Sequence, residues 1–190
     1  IAEVAELHRV DALDGAAVSA LAVRLGADLV VVGPEAPLVA GVADAVRDAG
    51  IPVFGPSGKA AQLEGSKAFA KNVMAAAGVP TARSYVCTTA EEAATALDAF
   101  GAPYVVKDDG LAAGKGVVVT GNLGQAAAHA RSCGRVVIEE YLDGPEVSLF
   151  AITDGGREQF EQRYDDLASQ ALHFLREISG EEAVMEFARR

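Results

Sequence analysis

The segment that most constrains the fold is a glycine-rich loop with a strand signal on either side. "APYVVK" (102–107) and "GVVVT" (116–120) are short and rich in β-branched residues, and "DDGLAAGK" (108–115) lies between them. Apolar, β-branched runs of this length read as strands. A loop that joins strand to strand is a hairpin, and small residues let its backbone press against phosphates. It is not a Walker A loop. Gly110 and Gly114 are separated by three residues rather than four, and Gly116 follows Lys115 where that motif needs a hydroxyl. The G-x-G-x-x-G spacing is absent as well. The stretch by itself leaves two readings open, a hairpin that folds over a triphosphate and a plain flexible hairpin.

Residues 1–55 follow another pattern. "GAAVSALAVRL" (15–25) has helical periodicity with a stop at Gly26, and "DLVVVG" (28–33) reads as a buried strand. "PEAPLVAGVADAVRDAG" (34–50) reads as one helix, with Leu38, Val42 and Val46 at helical spacing and Gly50 at its end; "IPVFG" (51–55) is a second strand. Strand–helix–strand of this kind belongs to a doubly wound parallel sheet, in which ligands bind beyond the carboxyl ends of the strands. "GPEAPL" (33–38) and "GPSG" (55–58) lie at such ends.

Further along, 58–78 reads as helix and 78–87 as turn and strand. Residues 88–101 form a Thr-capped amphipathic helix with acids in its first turn. After the hairpin come a helix near 122–133 and a strand, polar bend and strand over 135–155. In the tail, Phe160, Tyr164, Leu167, Ala171, Phe174, Leu175 and Ile178 share one helical stripe.

Charge narrows the partners. The net charge of −11 argues against nucleic acid or an anionic membrane, since phosphate-backbone binding needs a basic face. A nucleotide needs only a few local lysines. Cys87 and Cys133 have no metal spacing and read as reduced thiols of a cytoplasmic protein, and His8, His129 and His173 show no ligand pattern. No run is long enough to span a membrane, and no signal peptide is visible. The chain begins at Ile1 without a methionine, so an interior start is expected.

Three features stand in order: Lys67 in "EGSKAFAK", Lys107 directly before the glycine loop, and "IEEYLDGPE" (138–146). Each alone is weak, because a lysine on a helix or at a strand end is usually solvated. Together with "VVGPEAPLVAGVADAVRDAG", "FGPSGKAAQLEGSKAFAK" and "VVKDDGLAAGKGVVV" they make the chain similar to the ATP-grasp ligases. More closely, it resembles the phosphoribosylamine–glycine ligase (glycinamide ribonucleotide synthetase) family. The resemblance carries to about residue 155; the tail from Gly156 resembles nothing.

The resemblance implies an α/β chain in three parts. Residues 1–57 would be a partial doubly wound (Rossmann-like) domain. Residues 58–155 would be an incomplete ATP-grasp domain (α+β), and 156–190 a helical tail. It implies that Lys67 and Lys107 reach ATP phosphate, that Gly110, Gly114, Lys115 and Gly116 form the closing loop, and that Glu139, Glu140, Tyr141 and Leu142 form the hinge on the adenine edge. Glu146 would take the ribose hydroxyls. Gly33, Pro34 and Glu35 would hold the phosphoribosylamine side; the bland reading of that turn is two prolines shaping the backbone. Asp108, where similar enzymes carry a small residue, is expected to add negative charge near the phosphates.

The implied substrates are ATP, glycine and 5-phosphoribosylamine. Magnesium ligands and the glycine site are expected in a lobe beyond Gly155, and no residue is assigned to the chemical step. The alternative is a non-catalytic nucleotide-binding or structural remnant whose tail helix serves interaction. A formate- or bicarbonate-using purine ligase is disfavoured by "GPEAPL" and "DGLAAGKGV". Self-association through an open sheet edge or the tail is a further expectation.

Overall fold

The computed structural model describes residues 3–112 and 114–144. In chain order the elements are α1 (Gly15–Leu25), β1 (Val30–Val31), α2 (Glu35–Val39), α3 (Val42–Asp48), β2 (Val53–Phe54), α4 (Gly58–Gly65), α5 (Lys67–Ala76), β3 (Ser84–Cys87), α6 (Ala90–Phe100), β4 (Tyr104–Asp108), β5 (Val117–Thr120), α7 (Leu123–Ser132) and β6 (Val136–Glu139). The second strand expected before 155, Glu146 and the tail stripe lie outside the described residues.

Short polar side chains decide where the longer helices start. Asp14, Ser57, Ser66, Thr89 and Asn122 each accept a hydrogen bond from a backbone N–H in the first turn of α1, α4, α5, α6 and α7. Each such cap is worth about 1 kcal/mol. At α6 the cap is reciprocal: Thr89 accepts from Glu92 N–H, and the Glu92 carboxylate accepts from Thr89 N–H.

Two expected helices are broken, each by one residue. The segment 34–50 forms α2 and α3 rather than one helix. Gly41 sits between them at φ 82°, a left-handed backbone that glycine adopts without strain. Leu38, Val42 and Val46 are still buried, but Leu38 packs with Ala43 and Ala61, whereas Val42 and Val46 pack with Ala22 and Ile51. The segment 58–78 forms α4 and α5. Ser66, at φ −143° and ψ 116°, leaves the helical region to cap the second of them.

β1 and β2 pair in parallel, Val30 with Val53 and Val31 with Phe54. Val30 and Val53 face the cluster built on α1 and α3. Val31 and Phe54 face away and are 63% and 56% exposed. The strand expected to be buried over 28–33 is therefore two residues long and covered on one face, because α1 and α3 pack on that face alone among the described residues.

The second sheet is antiparallel, in the order β3-β6-β4-β5. β4 and β5 are joined as a hairpin, Lys107 opposite Val117, as the flanking runs predict. Alternation along β4 and β6 sends Tyr104, Val106, Val136 and Ile138 toward α6 and α7, where they meet Leu97, Ala126 and Ala130. The same alternation sends Val105, Lys107, Val137 and Glu139 to the opposite face.

Candidate functional site

On that opposite face a buried carboxylate sits between two lysines. Glu139 ends β6, one of the two inner strands, and its side chain is 6% exposed. Its Oε2 lies 2.7 Å from Lys107 Nζ and its Oε1 3.2 Å from Lys71 Nζ. Lys107 and Glu139 are diagonal neighbours: Lys107 pairs with Val137 and Glu139 with Val105 across β4 and β6. Lys71 arrives from α5. A buried carboxylate is costly to desolvate and is tolerated only when paired and hydrogen-bonded.

The two lysines are used differently. Lys71 also donates to Thr81 Oγ1 at 2.8 Å and to the Ala82 carbonyl at 2.7 Å, so its ammonium has three acceptors. Lys107 meets Glu139 alone among the described residues, and its side chain is 30% exposed against 13% for Lys71. Lys107 therefore keeps donors for an anion. Lys71 was not among the sequence candidates, although the signal was there: it stands four residues after Lys67, on the same helical face.

A second cluster ties α5 to the glycine loop. Asp109 accepts from Ser66 Oγ at 3.1 Å and from Ala68 N–H at 3.0 Å, forms an ion pair with Arg135 Nε at 3.1 Å, and its side chain is 3% exposed. One residue on, the Gly110 carbonyl accepts from Lys67 Nζ at 2.8 Å. Sequence reasoning singled out Asp108 and gave Asp109 no role. A carboxylate at the start of a helix satisfies orphan N–H groups there.

Asp108 does not do what the sequence suggests. Strand alternation puts its side chain on the α7 face, opposite Lys107. There its charge, after the larger effect of burial, helps push the Cys133 thiol up from its ordinary value. Cys87 and Cys133 are both free.

The loop itself turns back on Asp108, whose N–H donates to the Gly116 carbonyl at 2.7 Å. Gly116 is buried, and a Cβ there would overlap Ala112 Cβ and come within 3.2 Å of Asp108 Cβ. Gly114 and Lys115, the two residues before it, lie exposed. Lys67 and Gly110 are thus in direct contact, Lys107 meets Glu139, which also meets Lys71 of the same helix as Lys67, and Gly114, Lys115 and Gly116 lie on the hairpin that follows Lys107.

The expected hinge is only partly exposed backbone. Glu140 N–H donates to the Arg83 carbonyl at 3.0 Å. The Glu140 carboxylate accepts from Arg83 N–H and Nε at 2.8 and 2.7 Å, which holds it below the ordinary glutamate value. Tyr141 and Leu142 follow with exposed side chains. Gly33, Pro34 and Glu35 lie exposed at the carboxyl end of β1, at the start of α2, and no described hydrogen bond joins them to the lysines.

Comparison with known proteins shows the family. The phosphoribosylglycinamide synthetase N domain matches residues 1–64, and the ATP-grasp (A) domain of the same protein matches residues 65–166. The phosphoribosylamine–glycine ligase of Streptomyces coelicolor is 82% identical over 155 residues, 82% of this chain and 37% of that protein. That of Leifsonia xyli is 61% identical over 157 residues, 81% of this chain and 38% of that protein. The chain thus spans well under half the length of these relatives. Among solved structures, the biotin carboxylase domain of 2-oxoglutarate carboxylase from Hydrogenobacter thermophilus, in complex with MgADP, ADP and bicarbonate, matches with a TM-score of 0.58 at 25% identity, over 72% of this chain and 34% of that one. The chain belongs to the phosphoribosylglycinamide synthetase family, an α/β protein with the ATP-grasp fold.

Proposed function

We propose that this chain holds the adenine nucleotide in an ATP-dependent ligation of glycine to 5-phosphoribosylamine. The observation that carries the reading is Lys107: a partly exposed ammonium, fixed by a buried carboxylate, beside a glycine-rich hairpin. The fit to a triphosphate rests on donor chemistry. Lys107, Lys67 and Lys115 are point-charge donors suited to phosphate, and the loop's small residues let its backbone approach. The solved neighbour with MgADP and the names of the relatives support the same reading.

In this reading residues 1–57 serve the phosphoribosylamine side, with Gly33, Pro34 and Glu35 at its edge, and 58–155 the nucleotide side. A glycine carboxylate oxygen attacks the γ-phosphorus and ADP leaves. The amine of phosphoribosylamine then attacks the glycyl phosphate carbonyl, phosphate leaves, and the nitrogen gives up its proton. This chain's residues contribute binding and orientation: Lys107 and Lys67 neutralise phosphate charge, Lys115 adds charge as the hairpin closes, and Tyr141 and Leu142 offer apolar contact to the base. Magnesium, when bound, would supply positive charge that offsets the charge of the phosphates. Among the described residues no group of three or more His, Cys, Asp or Glu side chains converges, so magnesium is assigned to none of them. No helix among them is long and apolar enough to cross a membrane.

Calorimetric titration of Mg-ATP into the chain tests the reading. Micromolar-range binding is expected, weakened roughly tenfold to a hundredfold by Lys107→Ala, the cost of one or two charged hydrogen bonds. A folded chain that binds no nucleotide overturns it. Binding with glycine-dependent ADP release extends the assignment to the whole reaction; binding without it leaves the nucleotide-holding part alone.

A further inference from the structure

We propose that Lys71 is a positioning residue that sets the charge Lys107 presents to the nucleotide, acting through Glu139. This deepens the nucleotide reading above and rests on it.

Lys71 donates hydrogen bonds to Thr81 Oγ1 and the Ala82 carbonyl, and its ammonium also lies 3.2 Å from Glu139 Oε1 as an ion pair. Its surroundings are thus filled by three protein oxygens. Lys107 has one such neighbour, Glu139 Oε2. The two lysines therefore share a single carboxylate, one oxygen each. Lys71 is the more deeply placed, and its two neutral acceptors fix it to the turn that leads into β3.

The charge balance gives the arrangement a purpose. Lys71, Glu139 and Lys107 together carry a net charge of +1, and the part of it that faces solvent is Lys107. Without Lys71, Glu139 and Lys107 form a closed neutral pair, and a carboxylate held 2.7 Å from the ammonium offsets much of the attraction that the ammonium exerts on an incoming phosphate. Lys71 neutralises that carboxylate from behind. The site then offers a cation whose position is fixed by an ion pair but whose charge is not cancelled by it. A lysine that merely fastened α5 to the sheet would not need to meet Glu139; Thr81 and Ala82 already do that.

The test uses this 190-residue chain and Mg-ADP, which binds without turnover. Three proteins are titrated: wild type, Lys71→Met, and Lys71→Met combined with Glu139→Gln. Lys71→Met is expected to bind Mg-ADP about tenfold more weakly. The double variant removes both buried charges, leaves Lys107 as the net +1, and is expected to return to within about threefold of wild type, a difference under half the 1.4 kcal/mol that a tenfold change represents. A purely structural role for Lys71 predicts no such return. The double variant leaves no unpaired buried charge, so its affinity decides the question even where the single variant does not fold. Equal binding by wild type and Lys71→Met overturns the inference, and so does a double variant that stays tenfold weak. Wild type that does not bind Mg-ADP overturns the nucleotide reading, and this inference with it.

Discussion

The two sheets of the chain are built from the same kind of residue and reach different states. β1 and β2 are valine-rich, as is β6, yet all four residues of β6 are buried while β1 and β2 each leave one residue exposed. The difference lies in what covers each face. β6 has Leu97, Ala126 and Ala130 on one side, and on the other Val137 and Glu139 are buried, with Lys71 and Lys107 against the Glu139 carboxylate. The parallel pair has its α1 and α3 cluster on one side and Val31 and Phe54 open on the other. An apolar run thus states that a strand forms, but not how many of its faces are covered.

The largest expected effect separates the two regions directly. Leu97→Ala empties a site in the α6–α7 cluster and should cost about 2–5 kcal/mol. Val31→Ala, on the open face of β1, should change stability by about 0.5 kcal/mol or less. Urea unfolding of both variants measures the contrast. Equal losses would mean that the outer face of β1 is covered in solution, and the comparison would fail.

A middle-sized effect sharpens the comparison within the hairpin. The sequence presents Gly110 and Gly116 as equivalent members of one loop, and the structure does not. A Cβ at Gly110 meets nothing within 4 Å, whereas one at Gly116 overlaps Ala112. Gly116→Ala should therefore cost about 1–3 kcal/mol, as overpacking does, and should weaken Mg-ATP binding by moving the loop. Gly110→Ala should stay within about 0.5 kcal/mol of wild type in stability. Thermal unfolding and titration of the two variants read this. If they behave alike, the loop is not held at Gly116.

These cases mark what the sequence could and could not say. The hairpin was legible because β-branched runs and glycines are local signals. So were α1, α6 and α7, each with its cap or stop written in adjacent residues. The order of Lys67, Lys107 and Glu139 was legible as well, through resemblance. The breaks at Gly41 and Ser66 were not weighed against periodicity, although a glycine and a serine followed by "KAF" are a helix stop and a helix start. Lys71 and Asp109 were missed for another reason. Their partners, Glu139 and Ser66, are far away in sequence, and only the sheet register and the seating of α5 bring them together. Asp108 misled because proximity to Lys107 in sequence is opposition across a strand.

The smallest effect concerns charge, and it too divides the regions. α3 starts at Gly41 with no side-chain cap, and the acid in its first turn, Asp44, accepts instead from Gly58 N–H at 2.7 Å and from Arg47. α6 starts on a box whose Glu92 carboxylate accepts from Thr88 N–H at 2.7 Å, Thr88 Oγ1 at 3.1 Å and Thr89 N–H at 3.2 Å. The Thr88 backbone bond first, then the other two, hold Glu92 below the ordinary glutamate value. A group with a depressed folded pKa stabilises the fold above its unfolded value, and that contribution fades as pH falls through the lower folded value. Glu92→Gln keeps an acceptor but cannot titrate, so its melting temperature should fall less steeply on the acid side than that of wild type. The gap between the two proteins should be constant near neutral pH and close below the ordinary glutamate range. Glu140, also depressed by Arg83, titrates in both proteins and cancels in the difference. Parallel curves down through the acid range would show that the box is held by Thr89 alone, and that the carboxylate adds nothing to the start of α6.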